Sequence, residues 1–136
     1  MPRILGVAIV VLALSGCTEG LCDRPATAEP ILYTAGGVER GKDGCTYQST
    51  EWDGDWLWFP GGAYYELRHQ LGFEPTQIEC WLSFARHGTR DNQSVTQAGG
   101  NECQIHDVDF EKIVILNGTC ADFYVRVAAS AEDCAP

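Results

Sequence analysis

Seven cysteines in a chain of 136 residues constrain the fold more than any other feature of this sequence. Because seven is an odd number, at least one thiol has no partner within the chain. Among the six that follow Cys17, no pair has the C-x2-C or C-x4-C spacing of a zinc site. The sequence therefore favours disulfides, which form in an oxidising compartment outside the cytoplasm.

The first sixteen residues have the pattern of a secretory leader. Met1-Pro2-Arg3 precedes an uninterrupted apolar run from Ile4 to Leu14, which is too short to span a bilayer. The run ends in Leu14-Ser15-Gly16-Cys17, which resembles the lipobox of bacterial lipoproteins. That resemblance implies that the thiol of Cys17 is diacylated and that Cys17 becomes the mature N-terminus. The alternative is an ordinary secretory leader that is cleaved nearby.

Lipid on Cys17 makes the cysteine count even. The remaining six, suited to three disulfides, are Cys22, Cys45, Cys80, Cys103, Cys120 and Cys134. Six cysteines allow fifteen pairings, and we expect neighbours in sequence to pair. Residues 17–29 are small and polar, as in a tether, and residues 30–136 form the domain. Thr18 stands where inner-membrane lipoproteins of Gram-negative bacteria commonly carry Asp, so the resemblance implies an outer-membrane address.

Composition limits the class of partner. The formal net charge is -10, with nine Lys and Arg scattered among nineteen Asp and Glu. Nucleic-acid binding needs clustered basic residues to displace counterions, so we expect no nucleic-acid partner. The apolar share of 45% is ordinary for a packed domain and excludes a disordered chain.

Short apolar segments with Gly-rich turns dominate the domain. Eight segments have the pattern of strands: Ile31–Ala35, Trp56–Phe59, Ala63–His69, Gln77–Phe84, Ser94–Ala98, Cys103–Val108, Lys112–Leu116 and Asp122–Ala128. In the segment Gln77–Phe84, every second residue is apolar and the residues between them are polar, with Trp81 the exception. In the last segment Tyr124 and Arg126 oppose the apolar positions. Asn117-Gly118 has the turn chemistry of a tight hairpin, and Asp43-Gly44 is another predicted turn. The pattern predicts an all-β, antiparallel β-sandwich or jelly-roll-like fold.

One connection between strands resembles a known family. His69-Gln70-Leu71-Gly72-Phe73-Glu74-Pro75 is similar to the H-x-L-G-x-x-P connection of β-sandwich modules in phage tail proteins and H-type-lectin-like domains. The resemblance implies a β-sandwich. Physically, Gly72 permits a turn, and Pro75 precedes the next strand where no donor to the sheet is needed.

Aromatic residues are concentrated between residues 52 and 65. The period of a strand predicts that Trp56 and Trp58 share one face. Open aromatic rings beside carboxylates bind sugars, because the rings cover apolar pyranose faces and the carboxylates accept hydroxyl protons. Trp56, Trp58, Asp53 and Asp55 are therefore the predicted ligand-binding residues. The alternative is packing of these rings in the core.

An enzymatic alternative is carried by Arg86-His87-Gly88-Thr89-Arg90, which is similar to the R-H-G-x-R core of histidine phosphatases. In that family the His is phosphorylated and the Arg pair holds phosphate, with His106-Asp107 as the matching distal pair here. The family has a longer chain and an α/β fold, and Asn92 stands where its fuller motif has Pro. No other catalytic motif is present, so we expect a non-enzymatic protein without a cofactor.

Two acidic clusters, Glu51-Asp53-Asp55 and Asp107-Asp109-Glu111, place carboxylates at alternate positions. Neither has the spacing of a calcium loop, so we interpret them as solvated edges and predict no metal site, with calcium as the alternative. Asn92-Gln93-Ser94 and Asn117-Gly118-Thr119 match the N-glycosylation pattern. Together the patterns predict a lipid-anchored binding or structural module of a bacterial envelope, with a glycan or an envelope protein as partner.

Overall fold

The fold is known from a computed structural model that describes residues 28–88 and 95–134. These residues form ten strands and one 3-10 turn, Gly100–Glu102, and they contain no α-helix. None of their elements is a helix of the length and apolarity needed to cross a membrane. The strands are β1 Ile31–Tyr33, β2 Gly37–Gly41, β3 Gly44–Gln48, β4 Leu57–Phe59, β5 Tyr64–Arg68, β6 Gln77–Ser83, β7 Val95–Ala98, β8 Gln104–Val108, β9 Lys112–Leu116 and β10 Phe123–Ala131.

The strands form two sheets, so the predicted disulfide-stabilised β-sandwich is confirmed. The four-stranded sheet has the order β1-β5-β9-β8, and the six-stranded sheet has the order β2-β3-β10-β6-β7 with β4 also paired to β10. All pairs are antiparallel except β1 with β5. The nine-residue strand β10 is central because three other strands pair with it.

Alternation along the strands builds the core between the sheets. In β10, Val125, Val127 and Ala129 are buried, whereas Tyr124 and Arg126 point to the outer face. Ile113 and Ile115 of β9 supply the opposite wall, and both are fully buried. Each such side chain contributes about 1.5–3 kcal/mol by leaving water. The two outer faces are therefore free to carry function.

Disulfides join distant parts of the chain. Cys80 in β6 pairs with Cys103, which directly precedes β8, so this bond links the two sheets and confirms pairing of neighbours there. Cys45 in β3 pairs with Cys134, so the expected neighbour pairing is wrong for both of these residues. The reason is strand pairing: Cys45 lies opposite Ala131, which brings the segment after β10 to β3.

Cys120 is disulfide-bonded as well. The other two cysteines, Cys17 and Cys22, lie outside the described residues, so the predictions of lipid on Cys17 and of a disulfide at Cys22 stay predictions. The same holds for the leader and for most of the tether.

All eight predicted strand segments contain a strand, but the sequence interpretation missed the hairpin of β2 and β3. Asp43-Gly44 was expected to be a turn, and it joins these two strands, with Gly44 in the left-handed region at φ +127°. The strands escaped prediction because β2 carries Glu39 and Arg40 and is largely exposed, so it has few apolar residues to form a pattern.

The predicted hairpin at Asn117-Gly118 is wrong. The chain leaves β9 in one sheet and enters β10 in the other, so these strands do not pair. The buried Asn117 amide explains the local sequence: Nδ2 donates to the carbonyl oxygens of Phe59 (3.0 Å) and Ala121 (2.8 Å), and Oδ1 accepts from Thr119. Asn117 is therefore a corner residue, and this burial also makes it unsuitable as a glycan acceptor. The other acceptor pattern, from Asn92 to Ser94, lies outside the described residues.

Candidate functional site

The outer face of the six-stranded sheet carries a group of aromatic side chains. Trp58 of β4 lies opposite Tyr124 of β10, and Trp81 of β6 lies opposite Arg126. Residues that pair across strands share a face, so all four belong to the outer surface. The loop between β3 and β4 adds Trp52, which packs on Trp81 and on Arg126. We call these five residues the aromatic patch.

The four rings of the aromatic patch form two pairs. The ring centroids of Trp58 and Tyr124 are 4.9 Å apart, and those of Trp52 and Trp81 are 5.2 Å apart and nearly perpendicular. Edge and offset contacts of this kind fix aromatic side chains in place. Trp58 is nevertheless 47% exposed and Trp52 is 40% exposed. The patch therefore presents pre-positioned rings to solvent.

Arg126 packs on the ring of Trp52 and is held by the protein on its other side. Its Nε donates to the Thr50 carbonyl oxygen (3.1 Å), its Nη2 donates to Gln48 Oε1 (2.5 Å), and its guanidinium carbon lies 5.0 Å from the Trp52 ring centre. Burial lowers the pKa of Arg126, and the negative charges of Glu51 and Glu79 oppose that shift. Because Nε and Nη2 are engaged by the protein and the residue is only 6% exposed, Arg126 positions Trp52 instead of serving as an open anion site.

A shallow depression of about 150 Å³ continues this face. Its floor is made of the small residues Thr46, Ala128 and Ser130, and Gln77 and Glu79 stand at its side. Glu79 accepts hydrogen bonds from Gln77 Nε2 (2.9 Å) and Trp81 Nε1 (3.4 Å), so its carboxylate is tied to the patch. The surface thus combines flat rings with a fixed acceptor.

The structure separates the two tryptophans that the sequence placed on one face. Trp58 lies in the aromatic patch, but Trp56 is only 3% exposed. Trp56 precedes β4, its backbone N–H donates to the Arg86 carbonyl oxygen (2.8 Å), and its indole packs against Gly88. Its Nε1 donates to the Trp52 carbonyl oxygen (3.2 Å). The prediction that Trp56 shares an open face with Trp58 is wrong, because Trp56 supports Trp52 from within.

Asp53 and Asp55 are both exposed, in the loop that carries Trp52. Asp55 contacts two basic groups, with Arg86 Nη2 2.9 Å from Oδ2 and His87 Nδ1 2.6 Å from Oδ1. Asp55 therefore ties this loop to the segment after β6. Of the predicted ligand-binding residues, Asp53 and Trp58 are the ones that the structure leaves open.

The two histidines of the phosphatase alternative are positioned by different sheets. His87 follows β6 of the six-stranded sheet, whereas His106 belongs to β8 of the other sheet and contacts Tyr64. Thr89 and Arg90 lie outside the described residues. The all-β fold also differs from the α/β fold of that family, and fold and motif must agree before such a motif supports a function.

The second acidic cluster is satisfied by the protein itself. Asp109 Oδ1 accepts from the backbone N–H groups of Glu111 (2.7 Å) and Lys112 (2.9 Å), and these bonds lower the pKa of Asp109. Asp107 pairs with Lys112, and Glu111 pairs with Arg68. Within the described ranges, no group of three or more His, Cys, Asp or Glu is arranged to hold a metal ion.

Sequence reasoning did not assign Trp52, Trp81, Tyr124 or Arg126 to the site. A signal was present, because Trp81 broke the polar pattern of its face and Tyr124 and Arg126 opposed the apolar positions of their strand. Several large aromatic residues that share one outward face indicate an interaction surface. What the sequence lacked was the register that brings these strands side by side.

The connection from His69 to Pro75 has the predicted turn chemistry. Gly72 is in the left-handed region at φ +79°, and Pro75 lies two residues before β6. His69 is buried, with Nδ1 accepting from the Leu71 N–H (3.2 Å) and Nε2 against the Asp109 carbonyl oxygen (2.9 Å). This histidine therefore has a structural role in joining two loops.

Comparisons with models of known families, with curated proteins and with solved structures found no match.

Proposed function

We propose that this chain is a lipid-anchored module of a bacterial cell envelope that binds carbohydrate through the aromatic patch. The single observation that carries the proposal is the exposure of Trp58 and Trp52 on one outer face. Indole rings exposed to water are unfavourable, and a contiguous group of them on one face is typical of a ligand site.

The chemistry of the patch suits a sugar. Indole and phenol rings stack on the apolar C–H faces of a pyranose, and a fixed carboxylate such as that of Glu79 accepts hydrogen bonds from its hydroxyl groups. The contact pairs that hold Trp58 on Tyr124 and Trp52 on Trp81 reduce the entropy lost on binding. A protein partner is the rival ligand, and a glycan array separates the two possibilities.

The anchor belongs to the same proposal. Lipid on Cys17 gives lasting attachment, because each buried methylene contributes about 0.8 kcal/mol. An extended tether of residues 17–29 reaches at most about 45 Å, which keeps the domain near the membrane surface. By its resemblance to lipoproteins with a residue other than Asp after the lipidated cysteine, the chain belongs to the outer membrane.

A glycan array, followed by titration of the selected glycan, tests the ligand. We expect the Trp58→Ala and Trp52→Ala variants to lose at least about tenfold in affinity, or about 1.4 kcal/mol. Phe110→Ala is the matched control, because Phe110 is 60% exposed but lies between β8 and β9 of the other sheet. Binding of no glycan contradicts the proposal and favours a protein partner. An equal loss of affinity in the control contradicts a site at the aromatic patch.

The mass of the N-terminal peptide of the protein isolated from a bacterial envelope tests the anchor. We expect a diacylated or triacylated Cys17 as the first residue, and release of the Cys17→Ser variant from membranes. A free thiol at Cys17, or a chain that still begins at Met1, contradicts the anchor and leaves the glycan site to be judged by the array.

A further inference from the structure

A cleft opens next to the aromatic patch, where the hairpin of β2 and β3 meets the loop that carries Trp52. We call it the hairpin cleft, and it has a volume of about 390 Å³. Residues that line it include Tyr33, Gly37, Glu39, Gln48, Thr50 and Glu51. The connection to the patch is direct, because Gln48 and Thr50 hold Arg126 and Glu51 directly precedes Trp52.

The floor of the hairpin cleft is open at Gly37. A Cβ atom added to Gly37 would meet no atom within 4 Å, and Gly37 is not among the residues with a positive φ. Neighbouring Gly36 differs, because its Cβ would collide with the ring of Tyr47. The space above Gly37 is therefore open, and the backbone of this residue would accept a side chain there.

One buried hydroxyl group of the cleft lining, and a second in the core nearby, lack hydrogen-bond partners. Thr50, which lines the hairpin cleft, and Tyr47, whose ring lies under the β1–β2 connection beside it, have buried oxygens with no hydrogen bond. Tyr47 is 1% exposed, and burial raises the pKa of its phenol. A buried unpaired polar group costs about 1–3 kcal/mol, and in native proteins such groups point to an uncounted partner. Thr50 lines the cleft, so a polar group of a ligand there can supply the partner of Thr50, whereas Tyr47 lies in the core behind the lining.

Negative charge surrounds the opening. Glu39 and Glu51 both line the hairpin cleft. Arg126 is the positive charge close to Glu51, but its guanidinium is occupied by Gln48 and by the Thr50 carbonyl oxygen. The residues that line the cleft therefore include two carboxylates and no basic side chain. A ligand with a positive charge and hydroxyl groups is complementary to this lining.

We infer that the hairpin cleft binds the protonated amine of an amino sugar, in a glycan whose neighbouring ring lies on Trp52. This inference rests on the proposed function, because the adjacent aromatic patch is what favours a saccharide over other amines. The carboxylates of Glu39 and Glu51 receive the ammonium group, and Thr50 Oγ1 receives a sugar hydroxyl.

Calorimetric titration with two tetrasaccharides of the same backbone tests the inference: the β-1,4-linked glucosamine tetramer, which carries amines, and its fully N-acetylated counterpart, which is neutral. We expect the amine form to bind at least about tenfold more tightly, with a preference that falls as salt is raised because exposed charges are screened. The preference should disappear in Glu39→Gln/Glu51→Gln.

Gly37→Leu fills the hairpin cleft and gives the sharpest variant. We expect it to fold, because its Cβ has room, and to lose amine binding. Gly99→Leu is the matched control, since a Cβ at Gly99 also meets nothing within 4 Å and its backbone is extended. Gly99→Leu should bind like the wild-type protein. Equal loss in both glycine variants overturns the inference.

The remaining outcomes separate the inference from the proposed function. If both tetrasaccharides bind equally and only Trp52→Ala and Trp58→Ala weaken binding, the glycan patch stands and the amine site is wrong. If a lysine tetramer binds as tightly as the amino sugar, the cleft recognises cations in general and the sugar assignment is wrong. Binding of neither tetrasaccharide overturns the amine site, and the array alone then decides the proposed function.

Discussion

The two outer faces of this sandwich follow the same strand alternation but carry opposite chemistry. The six-stranded sheet exposes the rings of the aromatic patch. On the four-stranded sheet, Arg68 lies 2.6 Å from Glu66 and 2.9 Å from Glu111, Lys112 pairs with Asp107, and Tyr64 packs against His106. We call this second surface the ion-paired face. The charged groups of this face contact one another, and Leu32 is 60% exposed beside Glu66. On the aromatic patch, the exposed surface consists of the rings of Trp58 and Trp52.

The comparison shows where an explanation beyond folding is needed. Exposed ion pairs keep a surface soluble and contribute about 0–1 kcal/mol each, so the ion-paired face is ordinary. Exposed indoles are unfavourable in water unless a ligand covers them. A strand pattern alone does not distinguish the faces. The difference lies in which outward side chains find partners within the protein.

The largest effect is expected from removing the disulfide that joins the two sheets. Cys80 and Cys103 join the two sheets, so the Cys80→Ala/Cys103→Ala variant should lose about 3 kcal/mol of unfolding free energy, by the loop-closure relation. Urea unfolding under oxidising conditions measures it. An unchanged midpoint would show that packing alone holds the sheets together.

A smaller loss is expected beneath the aromatic patch. Arg126→Met removes two hydrogen bonds and the charge below Trp52, and it should cost about 2 kcal/mol of unfolding free energy. It should also broaden the indole resonance of Trp52, which the guanidinium helps to position. A stable variant with an unchanged Trp52 signal would mean that Arg126 does not organise the patch.

The phenol of Tyr47, which is buried in the core between the two sheets, should make the free energy of unfolding depend on pH. Burial raises its pKa above the usual value of 10.0, so folding favours the protonated form. The contribution of this phenol to the free energy of unfolding is present below pH 10. It is lost as the pH rises above that value, because the unfolded chain releases the proton more readily. The pKa values of Tyr33 and Tyr65 are also raised by burial, so part of the alkaline loss remains without Tyr47.

Tyr47→Phe removes both this proton and the unpaired hydroxyl. We expect it to be neutral or stabilising by at most about 1 kcal/mol at neutral pH and to weaken the alkaline loss. Urea unfolding between pH 8 and 11 measures both effects, with Tyr64→Phe on the ion-paired face as the control. An alkaline loss identical to that of the wild-type protein would exclude Tyr47 as its source.

The smallest effect belongs to the ion-paired face. Arg68 is partly exposed, so Arg68→Met should change the unfolding free energy by less than about 1 kcal/mol, and the difference should shrink in high salt. Its glycan affinity should equal that of the wild-type protein. A larger loss than that of Arg126→Met would reverse the contrast drawn between the two faces.

Local patterns were enough to predict the class of fold. The alternation around Cys80 and the Gly-rich turns indicated a sandwich of short strands, and the segment around Cys80 is a strand. Local patterns failed where distant segments decide the structure. Asn117-Gly118 has hairpin chemistry, but the bonds from Asn117 to Phe59 and Ala121 make it a corner between sheets. Cys45 meets Cys134 only because β3 and β10 pair.

The candidate site was predicted in part, for the same reason. Trp58 and the acidic loop could be recognised because they are close in sequence. Trp56 was misplaced because β4 begins one residue later, which a count of alternate positions cannot detect. Trp81 and Tyr124 join the site through pairing of β6 and β4 with β10, and that register depends on the whole sheet.

The most direct test is NMR mapping of the glycan that the array selects, added to the isotope-labelled protein. We expect shifts in the indole signals of Trp52 and Trp58 and in the amides of β4, β6 and β10, with the ion-paired face unchanged. Shifts centred on Tyr64, Glu66 and Arg68, with the indoles of Trp52 and Trp58 unmoved, would contradict a glycan site on the aromatic patch.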